Sequence, residues 1–297
     1  MKRLGYLVLG LGVAGVAGVA LGWYITQPMG LPATVSERLT GDAQSGERIF
    51  LAGGCASCHM GSEDGADPKV LRGGAVFETQ FGTFYAPNIS PDPDHGIGGW
   101  TQAEFMNAVM RGVSPQGQHY YPAFPYTSYA KADPQDIADL YAYMMTLPAD
   151  ATPSRAHDLG FPFNIRRSLG VWKALYMDRD FVVTGEMTTQ ETQGRYLAEA
   201  LAHCAECHTP RDVLGGMDTA QWLQGAPNPS GSGRIPPIAG DDFTWTAFDI
   251  SAYLETGFTP SFDVAGGSMA KVIANLGQLD KTELDAIAAY ILRAGQR

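Results

Sequence analysis

Cys55-Ala56-Ser57-Cys58-His59 reads C-x-x-C-H, and the rest of the chain is organised around it. In this pattern two cysteine sulfurs bond covalently to the edge of a haem, and the adjacent histidine places an imidazole nitrogen on the iron. The signature returns as Cys204-Ala205-Glu206-Cys207-His208. The chain has 4 cysteines, and the two motifs use all of them. None is left for a disulfide, a zinc site or a nucleophile. The expected cofactors are two covalently bound haem c groups, one on Cys55, Cys58 and His59, the other on Cys204, Cys207 and His208. One motif alone would leave chance or a thiol redox pair open; two favour haem over zinc or thiol chemistry.

A chain of 297 residues has room for roughly two domains. Net charge is −11 and no block of Lys or Arg stands out, so nucleic acid is not an expected partner. Lys2 and Arg3 precede an uncharged run from Leu4 to Tyr24, which is 21 residues long. That length suits a membrane-spanning helix, and the basic flank keeps the first residues cytoplasmic. The expectation is a single N-terminal transmembrane anchor in residues 1–27, in a bacterial inner membrane, with the haem domains in the periplasm. A signal cleaved among Ala17 to Gly22 is the other reading. Gly10, Ala14, Gly18 and Gly22 fall on one face of such a helix and suit close packing against a second one, unless a Gly/Ala/Val-rich segment makes that spacing by chance.

The chain also repeats downstream of each haem motif. Trp100-Thr101-Gln102-Ala103-Glu104-Phe105 continues through Gly112 to Ser114-Pro115. Trp245-Thr246-Ala247-Phe248-Asp249-Ile250 continues through Gly257 to Thr259-Pro260, at a constant offset of 145 residues. Phe105 matches Ile250, Val109 matches Leu254 and Val113 matches Phe258. The apolar spacing is helical, and each glycine falls where a helix would end. Helices are expected ahead of each haem motif, near 45–53 and 192–202, and after each repeat, near 136–147 and 283–292. Gly46 and Gly194 sit in the two lead-in helices. The expected fold is all-α, two copies of one small helical domain: residues 43–148 and 186–297, joined by an ordered, aromatic-rich connector over 149–185 and preceded by a linker over 25–42.

Haem iron in an electron-transfer site usually has ligands on both faces. Met269, in Gly267-Ser268-Met269, is the candidate opposite His208, on a loop before the last helix. The offset of 145 carries Met269 onto Phe124, which cannot ligate iron. His119 is therefore the candidate sixth ligand of the first haem; Met106, Met110, Met144 and Met145, or an open face, are the alternatives. His203 is expected at the surface or the haem edge. Pro87-Asn88-Ile89 and Pro236-Pro237-Ile238 share a Pro-x-Ile pattern, whose backbone carbonyl would accept the Nδ1 proton of the proximal histidine, or which merely shapes the loop.

With these residues assembled, the chain resembles the membrane-anchored dihaem cytochrome c proteins of bacteria, above all the cytochrome subunits of periplasmic dehydrogenases for alcohols, aldehydes and gluconate. The resemblance rests on both C-x-x-C-H motifs, on Phe81 to Ile89, on Gly96-Ile97-Gly98-Gly99-Trp100-Thr101 and Tyr121-Pro122-Ala123-Phe124-Pro125-Tyr126, and on His208-Thr209-Pro210-Arg211 and Gly266-Gly267-Ser268-Met269. It implies two tandem class I-like cytochrome c domains and an electron carrier rather than an enzyme. The implied donor is a periplasmic dehydrogenase subunit; the implied acceptor is a terminal oxidase, another cytochrome or a quinone-linked complex. Alcohol dehydrogenase cytochrome subunits carry three haems and this chain has motifs for two. Many relatives have Met where Phe124 stands. If His119 replaces it, the first haem becomes the lower-potential centre and electrons run from first to second. A dihaem peroxidase with an open or labile first haem is the alternative function; a cysteine-ligated thiosulfate-oxidising site is excluded because every cysteine is committed.

Overall fold

The structure is a computed structural model and describes residue 15 and residues 17–63, 65–229 and 233–297. Helix α1 (Ala43–Ala52) leads into a one-turn helix α2 (Cys55–His59), which is the first haem motif. A hairpin of β1 (Val76–Thr79) and β2 (Gly82–Tyr85) follows, then α3 (Gln102–Arg111), the short α4 (Tyr126–Tyr129) and α5 (Pro134–Met144). The connector carries α6 (Leu169–Tyr176). The second half repeats the order with α7 (Thr189–Arg195), α8 (Ala205–His208), a two-residue ladder of β3 (Ala226–Pro227) and β4 (Arg234–Ile235), α9 (Ala247–Thr256), α10 (Gly267–Leu276) and α11 (Lys281–Ala294).

The repeated Trp-Thr segments are helix starts. Thr101 accepts from the Glu104 N–H while Glu104 reaches back to the Thr101 N–H, and Thr246 and Asp249 do the same. These are capping boxes, which satisfy backbone donors that a helix start leaves unpaired. Gly112 and Gly257 end the two helices in the left-handed region, at φ +58° and +80°.

Each lead-in helix crosses the last helix of its own half at a glycine. A Cβ on Gly46 would lie 2.0 Å from the Asp139 carbonyl oxygen, and one on Gly194 would lie 1.8 Å from that of Ala286. Only hydrogen fits there, so α1 lies directly on α5 and α7 on α11. Both crossings feed one continuous core, in which Ile49, Met106, Ile137 and Met144 of the first half join Leu197, Leu201, Leu284 and Ile287 of the second. Ion pairs between Arg48 and Glu283 and between Lys131 and Glu199 tie the halves together, and the Tyr196 hydroxyl donates to Asp136 across 2.5 Å.

Two expectations are corrected. The fold is mainly helical but not all-α, because two antiparallel ladders are present. Val76-Phe77-Glu78-Thr79 and Gly82-Thr83-Phe84-Tyr85 are rich in β-branched and aromatic residues, and too short to register against the helical periodicity around them. The connector extends this hairpin: Thr83 and Asp158 exchange backbone hydrogen bonds of 2.9 Å in both directions.

The second correction concerns the N-terminal transmembrane anchor. Among the described residues, no helix is long and apolar enough to cross a membrane. The inner-membrane placement with periplasmic haem domains, which rested on that anchor, loses its support. Residues 17–25 are helical, and most of the run from Leu4, with Gly10 and Ala14, lies outside the described residues. The described helix is stopped and fastened at its end. The Thr26 hydroxyl donates to the Gly22 carbonyl at 2.7 Å, and Arg167 donates to the Thr26 hydroxyl at 3.0 Å and the Trp23 carbonyl at 2.7 Å while lying 4.2 Å above the Trp23 ring. Among the described residues, nothing beyond the helix's own neighbouring backbone lies within 4 Å of the side-chain position of Gly18 or Gly22.

Candidate functional site

The two proximal histidines have the same hydrogen-bond partner. His59 Nδ1 lies 2.8 Å from the Pro87 carbonyl oxygen, and His208 Nδ1 lies 2.8 Å from that of Pro236, each 28 residues downstream. A carbonyl only accepts, so Nδ1 carries the proton and Nε2 keeps its lone pair. The Pro-x-Ile pattern builds this geometry. The Ile89 N–H donates to Leu71 and the Ile238 N–H to Leu223, both at 2.9 Å, which pins each loop with its proline carbonyl over the histidine. The Gly73 and Gly225 N–H groups donate back to the His59 and His208 carbonyls at 2.7 Å. Both glycines have positive φ, and a Cβ on either would meet backbone at 2.5 to 2.7 Å.

All four cysteines are free. Burial pushes the Cys55 and Cys204 thiols up to about 12, and it raises Cys58 and Cys207 as well. Such thiols are poor nucleophiles at neutral pH, which disfavours a dithiol redox site. Burial likewise lowers both proximal histidines, with the proline carbonyls opposing it, and a neutral imidazole is the form that ligates metal. Among the described residues no group of three or more His, Cys, Asp or Glu is gathered to hold a metal ion. Two cysteines three positions apart on one turn, followed by a histidine with an oriented ring and a free Nε2, fit a covalently attached haem at each motif.

The sixth-ligand candidates differ in setting. Met269 lies in the first turn of α10 rather than on a loop, partly buried and packed against the core. Phe124 packs among Tyr120, Tyr126 and Tyr129, with ring centroids 6.0 to 6.3 Å away. His119 is 3% exposed, and its Nε2 donates to the Thr26 carbonyl at 3.0 Å. Its Nδ1 is buried with no hydrogen-bond partner among the described residues. Burial, then the cations Lys173 and Arg167, lower its pKa, against the Thr26 carbonyl. Val264 takes the corresponding place in the second half, since Val113 pairs with His119 as Phe258 pairs with Val264. Met106, Met110 and Met144 are core residues, and Met145 lies at the core edge.

The structure also sets each motif against the opposite half of the molecule, which spacing alone does not reveal. Asn275 on α10 donates to the Ser57 hydroxyl at 3.0 Å. The Glu206 carboxylate accepts from Thr127 and Ser128, both at 3.2 Å, and pairs with Arg211. Ser57 and Glu206 are the variable positions before the second cysteine of each motif, so each motif touches the opposite half of the molecule. His203, expected at the surface or the haem edge, is half-buried, its ring edge-on to Tyr129 at 5.6 Å, while Tyr129 donates to the Gly53 carbonyl at 2.9 Å. No sequence signal singled out Ser57, Glu206 or Tyr129.

Comparison with known proteins identifies the family. The cytochrome c family matches residues 43–148. A protein described as "diheme cytochrome c-type" from Cereibacter sphaeroides is 51% identical over 288 residues, which cover 97% of each chain. The chain belongs to the dihaem c-type cytochromes. This cytochrome has two covalently bound haem c groups and an electron-transfer role; it is not an enzyme in its own right. It is also similar to the fructose dehydrogenase cytochrome subunit of Gluconobacter japonicus, 37% identical over 83% of this chain and 51% of that one. The gluconate 2-dehydrogenase cytochrome c subunit of Pantoea cypripedii is 32% identical over 85% of this chain and 59% of that one. The cytochrome thus spans little more than half the length of these dehydrogenase subunits. None of these similarities supports the peroxidase alternative.

Proposed function

We propose that the cytochrome accepts electrons from a dehydrogenase subunit and delivers them to a respiratory-chain acceptor: a terminal oxidase, another cytochrome or a quinone-linked complex. The matched hydrogen bonds from His59 to Pro87 and from His208 to Pro236 carry this reading, because they orient both imidazoles in the same way. Cys55 and Cys58 anchor the first haem and His59 is its proximal ligand; Cys204, Cys207 and His208 serve the second. Each haem supplies a reversible one-electron iron couple. The protein orients the imidazoles and holds the two halves in register. The proposed division is residues 43–148 and 186–297 around the connector 149–185.

Met269 is the proposed second ligand at His208, which raises the potential there. His119 is the proposed second ligand at His59, through Nδ1. The Thr26 carbonyl accepts a hydrogen bond from Nε2–H, and the buried Nδ1, with no partner among the described residues, therefore keeps its lone pair. A histidine pair at the first haem and a His/Met pair at the second support electron flow from first to second.

Similarity to subunits of fructose, gluconate and alcohol dehydrogenases supports the donor class. The native cytochrome, purified under mild conditions, is expected to retain a dehydrogenase whose substrate reduces both haems. Supplying fructose, gluconate, alcohols, aldehydes and nicotinate in turn, and following the haem absorption bands, tests it. If no substrate reduces haems that dithionite reduces fully, the proposed donor is wrong.

A further inference from the structure

Gly46 lies nine residues before Cys55, whereas Gly194 lies ten residues before Cys204. The two glycines occupy the same crossing, Gly46 against Asp139 and Tyr143, Gly194 against Ala286 and Tyr290. The second half therefore has one extra residue between crossing and attachment site. It is absorbed by a π-helical segment, Tyr196–Leu201, directly after α7. A π turn bonds across five residues instead of four and so takes up one residue; such turns gather at functional sites.

Glu199 lies in this segment, and its side chain is fully buried. Four donors converge on its carboxylate. They are the Tyr290 hydroxyl at 2.7 Å, the Val182 and Val183 N–H groups at 2.7 and 3.1 Å, and Lys131 Nζ at 3.4 Å. The Trp222 indole in turn donates to the Tyr290 hydroxyl at 2.9 Å. Lys131 belongs to the other half of the molecule, and its side chain is only 7% exposed. One carboxylate thus gathers the end of the connector, the last helix and the opposite half. The Cys204 N–H donates to the carbonyl of Ala198, the residue before Glu199, at 3.1 Å, so the carboxylate sits on the turn that holds the attachment cysteine.

We propose that Glu199 is a positioning residue for electron transfer: paired with Lys131, it holds the two attachment helices in one relative placement and sets the potential of the haem on Cys204 and Cys207. The inference rests on the assignment of those cysteines to the second haem. Desolvating two charges is costly, and an apolar pair of similar volume would stabilise a core at least as well. What a buried charge adds is a field that water does not screen, and a nearby anion favours the oxidised, more positive iron.

Redox titration of the intact dihaem protein tests the proposal, with the second-haem step assigned as the one displaced in Met269→His. Glu199→Gln is expected to raise the midpoint of that step and Lys131→Met to lower it, the first step moving less in both. Lys131→Arg keeps the charge and is expected to stay near wild type. Lys131→Met is also expected to speed amide hydrogen exchange at least tenfold in Cys55–His59 and Ala205–His208. Shifts of the same sign in both variants, or no shift in either, would overturn the proposal, because a purely structural role makes no opposite-signed pair. If Glu199→Gln does not accumulate, the two Lys131 variants suffice: equal midpoints in Lys131→Met and Lys131→Arg overturn it. Haem staining of denatured protein, with both haems attached, separates this outcome from a failure of the site assignment.

Discussion

His208 is held by Pro236: its Nδ1 donates to the proline carbonyl across 2.8 Å. That bond needs the backbone of Gly225, which has φ +78° and would put a Cβ 2.7 Å from the Ile235 carbonyl oxygen. Gly225→Ala should displace the loop and cost about 1–3 kcal/mol, as expected where a side chain meets a strained backbone position. Denaturant titration of the holoprotein checks the stability, and visible spectra should show the change at one haem only. An unchanged midpoint would mean the loop yields without strain.

Gly194→Ala should be more damaging, because the added carbon would sit 1.8 Å from the Ala286 carbonyl and the helices would have to part. Overpacking of this kind costs about 1–3 kcal/mol and sometimes more. Gly46→Ala should behave alike against Asp139. Thermal unfolding of the two variants beside an exposed control, Gly160→Ala, provides the comparison.

Removing one capping box should cost about 1 kcal/mol. Thr101→Ala and Thr246→Ala each delete a side-chain acceptor for the helix N–H groups. Thr→Ser at either position keeps the oxygen and should recover most of the loss in chemical denaturation.

His119→Ala tests the first haem separately. Visible and EPR spectra should lose one low-spin signal, and Val264→Ala at the corresponding place should lose none. Two unchanged low-spin signals in His119→Ala would remove the histidine from the ligand set.

Lys173 gives a pH dependence. Burial, with Arg111 nearby, lowers it from the ordinary lysine value to about 7, while its Nζ donates to the Arg111 and Gly112 carbonyls at 2.6 and 2.7 Å. Between about 7 and the ordinary value of 10.5 the unfolded chain binds a proton that the folded chain lacks, so stability rises with pH across that window. The slope should approach, and not exceed, about 1.4 kcal/mol per pH unit. Lys173→Met should flatten it in denaturant titrations run from pH 7 to about pH 10.

Much of the fold was legible because the chain states it twice. The offset between Trp100 and Trp245 marks matching helix starts, and Gly112 and Gly257 mark matching ends, since capping and the left-handed turn are local demands. The hairpin Val76–Tyr85 was not legible, because four-residue strands leave too few positions for a period to show. Pro87 and Pro236 were identifiable as candidates for the histidine acceptor, but a loop-shaping role fitted the sequence equally well. The N-terminal anchor was misread from length and hydropathy alone. The contacts of Thr26 and Trp23 with Arg167 arise between segments more than 140 positions apart, which no local pattern reports.

By itself the sequence determined the chemistry of Cys55-Ala56-Ser57-Cys58-His59 and its twin at Cys204. Covalent attachment needs two thiols and an imidazole within one helical turn, and five consecutive residues specify that. Tertiary structure alone decided that each motif packs against the opposite half, with Ser57 against Asn275, Glu206 against Thr127 and Ser128, and Glu199 paired with Lys131. Those pairings depend on how two helical crossings share one core, and the single extra residue before Cys204 acquires meaning only once the chain is folded around it.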